Sequence, residues 1–406
     1  MADINPITHM PMGYKTVGAH IGIKKSRSDL CLIVSDEPCV FAGLFTTNAV
    51  KAAPVVWDMA LNSAGGAARA IAIVSGNANA CTGDKGHKDN RLMAETLAEL
   101  VGCRSREVLV SATGVIGKPL PMETVVSGIK QSYPKISGDS DAAMAAAEAI
   151  MTTDTFEKTI GFETVIGGRK VSFFGMAKGS GMIHPNMATM LAYILTDADI
   201  TKPALTRALR ESTDLSFNMI SVDGDTSTND SVIALANGMA RNPRIEEGTK
   251  DYVAFTRALS WACVQLAKDV ARDGEGATKF IEVYVDGAKT LSAARTLARS
   301  VVSSSLFKSA IYGADANWGR ALCAMGYSGV QFSPERVFME FESDAGNIRV
   351  MESGQPLEFD EALAKRVLSE KDIFVGIYVG DGPYSAMAWG CDLTHDYIKI
   401  NAGYRS

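Results

Sequence analysis

The chain has 406 residues, 47% of them apolar and 21% charged, with a formal net charge of −6. This is the composition of an ordinary globular protein with a sizeable core, and the length corresponds to about two to three domains. The slight acidity, with no basic block interleaved with aromatics, argues against nucleic acid as the main partner.

The opening Met1-Ala2-Asp3-Ile4-Asn5-Pro6 carries an early acid and no apolar core, which is not the pattern of a secretory signal. No run approaches the ~18 uninterrupted apolar residues of a membrane span. Apolar runs at 70–74 and 108–111 predict buried strands. The Ala-rich stretch 139–151 opens on Asp and Ser caps and predicts a helix. A strand is expected at 171–174, followed by the most Gly-rich loop of the middle region, 175–185. Thr201-Lys202-Pro203 caps a helix running to about residue 213, with Pro in its first turn. A long helix is expected at 251–271, ending at the Gly274 and Gly276 loop. Strands follow at 280–285, 337–341 and 373–379, and the tail from Lys399 comes after what reads as a structured strand. These elements do not alternate as regular βαβ units, which favours a layered α/β arrangement over a doubly wound sheet.

Seven cysteines are scattered, an odd number with no CxxC pair. They read as small core hydrophobes in a reducing, cytoplasmic setting rather than as a disulfide or zinc framework.

The most informative run is 178–191, which holds Lys178, Gly179, Gly181, His184, Pro185, Asn186, Ala188 and Thr189. An internal Thr is a poor nucleophile, but cutting the bond before it gives its hydroxyl an α-amine as a built-in base. Gly179 and Gly181 permit unusual backbone angles, and Pro185 stiffens the turn. The run therefore points to a proenzyme that cleaves itself between Ala188 and Thr189.

Four further segments carry chemistry. Ser111-Ala112-Thr113-Gly114 follows an apolar strand, and a Thr hydroxyl beside a Gly N–H is a workable oxyanion hole. Thr152-Thr153-Asp154-Thr155 ends the Ala-rich helix with hydroxyls that suit an amino-acid carboxylate. Gly on both sides of Glu275 leaves that carboxylate on an adaptable loop, where it suits an ammonium group. The tail ends Asn401-Ala402-Gly403-Tyr404-Arg405-Ser406 and is a fifth candidate ligand element, although most tails fray. Read singly, each of these is more simply a strand-end turn, a helix stop, a solvated Glu or a loose end. Asp223-Gly224-Asp225-Thr226-Ser227-Thr228-Asn229 resembles a calcium loop, yet Thr228 stands where that loop needs Gly and Ala234 where it needs Glu. It reads as a polar turn near the site. No Walker sequence or GxSxG elbow occurs, and none of the five histidines is spaced as a metal pair. His184, five residues before Thr189, reads as loop structure.

Taken together, these residues resemble the ArgJ family, the ornithine acetyltransferases. Beyond 178–191, the resemblance extends through Gly22-Ile23-Lys24, Phe45-Thr46-Thr47-Asn48, Ser75-Gly76-Asn77, Ser111 to Gly117, Met151 to Thr155, Ser221 to Asp230, Asp273 to Lys279, Gly313 to Arg320 and Asp396 to Asn401. It covers essentially the whole chain. The resemblance implies a mixed, layered α/β sandwich of the ArgJ/DmpA-like type, not a doubly wound Rossmann sheet. It also implies self-cleavage into an α chain, 1–188, and a β chain, 189–406, which stay associated as α2β2 or larger. The implied reaction moves acetyl from N2-acetylornithine to glutamate in the cyclic route to arginine. No metal or cofactor is expected; some members also use acetyl-CoA as donor, and no motif here marks that ability. Carried over by position, Thr189 is the nucleophile and Thr113 with Gly114 the oxyanion hole. Thr152, Lys178, Thr189, Glu275, Asn401 and Ser406 are the substrate-binding positions. The family's ending leads one to expect an Asp and a final Thr where this chain has Gly403 and Ser406. The nearest alternative is a self-processing N-terminal-nucleophile amidohydrolase or aminopeptidase, in which water replaces glutamate. A rival of another class is a binding protein that kept the fold and lost catalysis.

Overall fold

The computed structural model describes residues 4–184 and 190–403. Ala188, Thr189 and Ser406 lie outside the described residues. The fold is mixed α/β, with two sheets that each combine parallel and antiparallel pairs. The chain divides into two compact units that do not follow the Ala188–Thr189 boundary: Met1–Gly179, Pro185–Asn218 and Thr226–Leu266 form the first, and Ser180–His184, Met219–Asp225 and Ala267–Ser406 the second.

The first unit contains β1 (Asn5–Pro6), β2 (Tyr14–Ala19), β3 (Leu30–Phe45), α1 (Ala53–Ala64), β4 (Ala68–Asn77), α2 (Gly83–Val101) and β5 (Val108–Val115). It continues with α3 (Met122–Ser132), α4 (Ser140–Ile150), β6 (Lys158–Ile166), β7 (Arg169–Lys178), β8 (Leu191–Thr196) and α5 (Lys202–Leu215). Next to β8 lies β10 (Ser231–Ala236), and α6 (Lys250–Arg272) follows, belonging to this unit as far as Leu266. Its strands run in the order β1-β6-β7-β8-β10-β3-β4-β5, with β2 paired to the N-terminal half of β3 and β10 to the C-terminal half.

Period-two alternation in β3, β4 and β5 sends side chains to two different cores. Leu30, Leu32, Ala72, Val74 and Val110 pack with Met93 and Leu97 of α2 and Val125 and Ile129 of α3. The intervening Cys31, Ile33, Ile71, Ile73 and Leu109 pack with Ala143, Ala146, Ala147 and Ile150 of α4. Helices thus cover both faces of this part of the sheet, the layering that burying two apolar faces requires. Asp139 caps α4 by accepting the Ala142 amide, as its sequence predicts. At the other end of the sheet Phe162 stacks on Phe173 at 5.0 Å and meets Trp261 of α6 edge-on at 4.9 Å. Pairs of this kind contribute about 0.5–1.5 kcal/mol beyond their buried area.

The second unit holds β9 (Ile220–Ser221), β11 (Phe280–Ala288), α7 (Leu291–Ser303), α8 (Ser305–Tyr312), α9 (Trp318–Gly326), β12 (Phe338–Ser343), β13 (Gly346–Glu352) and β14 (Gln355–Pro356). It closes with α10 (Glu361–Ser369), β15 (Asp372–Tyr378), β16 (Tyr384–Cys391) and α11 (His395–Ala402). The strand order is β14-β13-β12-β15-β11-β16-β9, and α7 packs on β11 and β16.

The strands and helices expected from the sequence between residues 70 and 379 are all present. Two expectations need correcting. Residues 175–178 are not loop but the end of β7, because Gly175, Met176 and Ala177 pair with β6 and β8 and are buried. The tail is not a frayed extension of a strand: after β16, Thr394 accepts the Asp396 and Tyr397 amides and starts α11. Among the described residues, no helix is long and apolar enough to cross a membrane.

Candidate active site

Thr113 and Gly114 lie near the end of β5, where β4 and β5 run parallel. The register slips there: Gly76 faces Gly114, while Asn77 pairs with both Thr113 and Val115. Gly114 has φ +129°, and a Cβ at this position would stand 2.6 Å from the Asn77 nitrogen, so only glycine fits. Ser75, the register partner of Thr113, donates its hydroxyl to the Ala149 carbonyl at 2.5 Å. That bond ties β4, the parallel neighbour of the strand that carries Thr113 and Gly114, to the C-terminal end of α4.

Three residues beyond Ala149 is Thr152, and here the chain turns around a buried carboxylate. Asp154, 1% exposed, accepts the Thr152 amide at 2.8 Å, the Gly179 amide at 2.7 Å and the Lys158 ammonium at 2.8 Å. One carboxylate thereby joins the Thr152 turn to the end of β7, where Lys178 is 8% exposed. Burial works to raise the Asp154 carboxyl, but the Lys178 and Lys158 charges and the hydrogen bonds outweigh it and hold it below the usual carboxylate range. Lys24 closes the turn from above, donating to the Met151 carbonyl at 2.6 Å and the Ser28 carbonyl at 2.7 Å. Its burial lowers its pKa to about 8, with the Asp29 charge opposing. The Arg27 guanidinium reaches the Thr152 and Asp154 carbonyls, both at 3.4 Å.

The start of β8 is fixed on both sides. Leu191 pairs with Lys178 of β7 and with Ser231 of β10, and the Ser231 amide donates to the Met190 carbonyl at 2.9 Å. Just ahead of β10, Asp230 is 2% exposed, and burial raises its carboxyl well above the usual range against the lowering effect of Ser227, Lys178 and Thr46. Its neighbour Asn229 donates its side-chain amide to the Ala78 carbonyl at 2.6 Å and the Ala112 carbonyl at 2.8 Å. Thr228 fixes the orientation of that amide by donating to its oxygen at 2.6 Å. Asn229 thus clamps the backbone immediately before Thr113.

In the second unit Glu275 is not a solvated loop residue but 8% exposed. Asn401 of α11 donates to its Oε2 at 2.8 Å. Thr113, Gly114, Thr152 and Lys178 therefore gather in the first unit, and Glu275 and Asn401 pair in the second. Sequence reasoning passed over Asp154, Lys158 and Asn229. Asp154 sits between the hydroxyl residues Thr153 and Thr155, which suit a ligand more visibly than it does. An acid among hydroxyls four residues before a Lys was the available signal for a buried pair. Nothing in the sequence singles out Asn229 from its polar neighbours.

A hydroxyl and a glycine amide on a pinned strand end, in a unit that also buries Lys158 and Lys178, can stabilise developing negative charge, as an α/β transferase requires. The comparisons with known proteins agree. The ArgJ family matches residues 15–406. The arginine biosynthesis bifunctional protein ArgJ of Symbiobacterium thermophilum is 52% identical over 399 residues, covering 98% of each chain. The protein of the same name from Thermotoga neapolitana is 50% identical over 400 residues, covering 98% of this chain and all of that one, at 100%. The solved arginine biosynthesis bifunctional protein argJ of Bacillus halodurans is 45% identical with a TM-score of 0.50, covering 52% of this chain and 98% of that chain. The chain belongs to the ArgJ family and is an enzyme of arginine biosynthesis.

Proposed function

We propose that the protein transfers acetyl from N2-acetylornithine to glutamate through an acetyl ester on Thr189, after cutting itself between Ala188 and Thr189. The observation that carries this reading is a run of hydrogen bonds in one unit: Ser75, the register partner of Thr113, bonds Ala149 just before the Thr152 turn, and Asp154 joins that turn to the end of β7 at Lys178 and Gly179. The ArgJ resemblance gives those same positions the roles of oxyanion hole and substrate contacts.

The α-amine freed at Thr189 takes the hydroxyl proton, and the hydroxyl oxygen attacks the acetyl carbonyl. Thr113 Oγ and the Gly114 N–H hold the oxyanion. The C–N bond of acetylornithine breaks, ornithine leaves with the proton, and the acetyl group stays on Thr189. The amine of glutamate then attacks the ester, N-acetylglutamate leaves, and the Thr189 hydroxyl is restored. This is ping-pong transfer. Glu275, held by Asn401, pairs with a substrate ammonium, and Lys178 and Thr152 serve a substrate carboxylate. Acetyl-CoA replaces acetylornithine as donor in a second activity, a reading supported by the word bifunctional in the names of the relatives. The processed chains assemble as α2β2 or larger in the cytoplasm. That the solved Bacillus halodurans chain spans only about half of this one supports processing near the middle.

The test is intact mass under denaturing conditions with N-terminal sequencing, then acetyl transfer assayed with and without glutamate. Two pieces, one beginning Thr189-Met190-Leu191, and glutamate-dependent release of ornithine are expected. A single active uncut chain overturns the nucleophile. Release of ornithine and acetate at the same rate without glutamate makes the enzyme an amidohydrolase instead.

A further inference from the structure

We infer that residues 180–184 form a strap that stays docked after the chain is cut before Thr189 and sets the position of the Glu275 carboxylate. The inference rests on the self-processing reading above.

These five residues follow β7 directly, yet they pack with the second unit. Ser180 is fully buried; its hydroxyl donates to the Asp273 carbonyl at 2.6 Å and its carbonyl accepts the Glu275 amide at 2.9 Å. The Met182 and Ile183 amides donate to the two oxygens of Asp223, at 2.6 and 2.8 Å, and the Val222 amide donates to the Ile183 carbonyl at 2.7 Å. Met182 sits at φ +56°, a conformation that side-chain-bearing residues seldom adopt without such support. His184 Nδ1 meets the Ser221 hydroxyl at 3.1 Å, and Nε2 accepts from the Arg299 guanidinium at 3.2 Å. These partners lie between Ser221 and Arg299, beyond Thr189 in the sequence. After a cut before Thr189, the strap belongs to one chain and its partners to the other.

The strap also closes a ring around Glu275. Tyr397 donates its hydroxyl to Asp223 at 3.2 Å, and one turn along α11 Asn401 donates to Glu275 at 2.8 Å. Gly181 also lies against the carboxylate: a Cβ there would overlap Cδ and both oxygens of Glu275. The obstruction is the far end of a flexible side chain, so an alanine at 181 is accommodated by turning Glu275 out of place rather than by distorting the backbone. Gly181 and Ser180 are thus positioning residues for the carboxylate that takes the substrate ammonium.

The experiment uses the full-length enzyme, with processing verified by mass for every variant. Gly181→Ala is expected to raise the KM for acetylornithine about tenfold with kcat within about twofold. Glu275→Gln should do the same, and the double variant should be no worse than either single change, because both remove one interaction. Ser180→Ala, which introduces no bulk, should raise KM in the same direction and provides the readout if Gly181→Ala does not fold. In the mature wild type, hydrogen exchange at the Met182 and Ile183 amides should be slow, and Asp223→Asn should speed it. A normal KM in Gly181→Ala, additive effects in the double variant, or fast exchange of these amides in cut wild-type enzyme each overturn the strap. Uncut wild-type protein would instead overturn the processing reading on which it rests.

Discussion

Single side chains carry the sharpest tests. If Thr113 donates to the oxyanion, Thr113→Ala should lower kcat by a hundredfold to a thousandfold, about 3–4 kcal/mol of transition-state stabilisation. Thr113→Ser, which keeps the hydroxyl, should retain most turnover; equal losses in both would reduce Thr113 to a packing role. His184 supplies a pH test. Burial, followed by the Arg299 charge, lowers its pKa to about 4 from an ordinary 6.5. Between these values the unfolded chain takes up a proton that the folded chain refuses, so His184 costs stability as pH falls through that window and costs nothing above it. Urea unfolding at pH 7, 5.5 and 4.5 should show this acid loss, and His184→Asn should reduce it. An unchanged slope in the variant would mean that other groups govern the window. The sequence reading gave His184 a loop role, and its bonds to Ser221 and Arg299 bear that out.

Elements decide how those side chains are held. The Thr152 turn and the end of β7 meet through Asp154, whose partner Lys158 has a fully buried side chain. Asp154→Asn leaves that ammonium without its counter-charge, and removing one partner of a buried pair typically costs about 3–5 kcal/mol. A lowered unfolding free energy of that size is expected by urea titration; a variant as stable as the wild type would show that Lys158 finds another partner. This element also marks the limit of the sequence reading. The Ala-rich helix, its Asp139 cap and the strand at Val108 were legible because periodicity and capping are local signals. The Asp154 hub was not, because it joins residues 152, 158 and 179, and burial of a charge depends on which distant segments arrive to cover it. The burial of Glu275 was illegible for the same reason: its flanking glycines suggest freedom, while Ser180 and Asn401, distant in sequence, hold it. Asn229 clamps Ala78 and Ala112 from more than a hundred residues away, and no spacing rule reaches that far.

For the whole molecule the question is how one polypeptide becomes a working enzyme. The compact units take residues from both sides of Thr189, so the two predicted chains interlace rather than divide as domains. Wild-type protein should therefore migrate as one species under native conditions and as two under denaturing ones. Thr189→Ala should remain a single chain in both, folded but without acetyl transfer. Separation of the wild-type pieces without denaturant would contradict the interlacing. A further consequence belongs to β8. It is bonded to β7 on one side and β10 on the other, and even Met190, ahead of its first residue, is held by the Ser231 amide. On the proposed processing, the chain from Met190 onward already has its heading before any cut, because both neighbours of β8 hold it. Folding of the uncut chain would thus set the strand that follows the proposed cleavage point in advance, leaving less orientation to be found once the chain is cut.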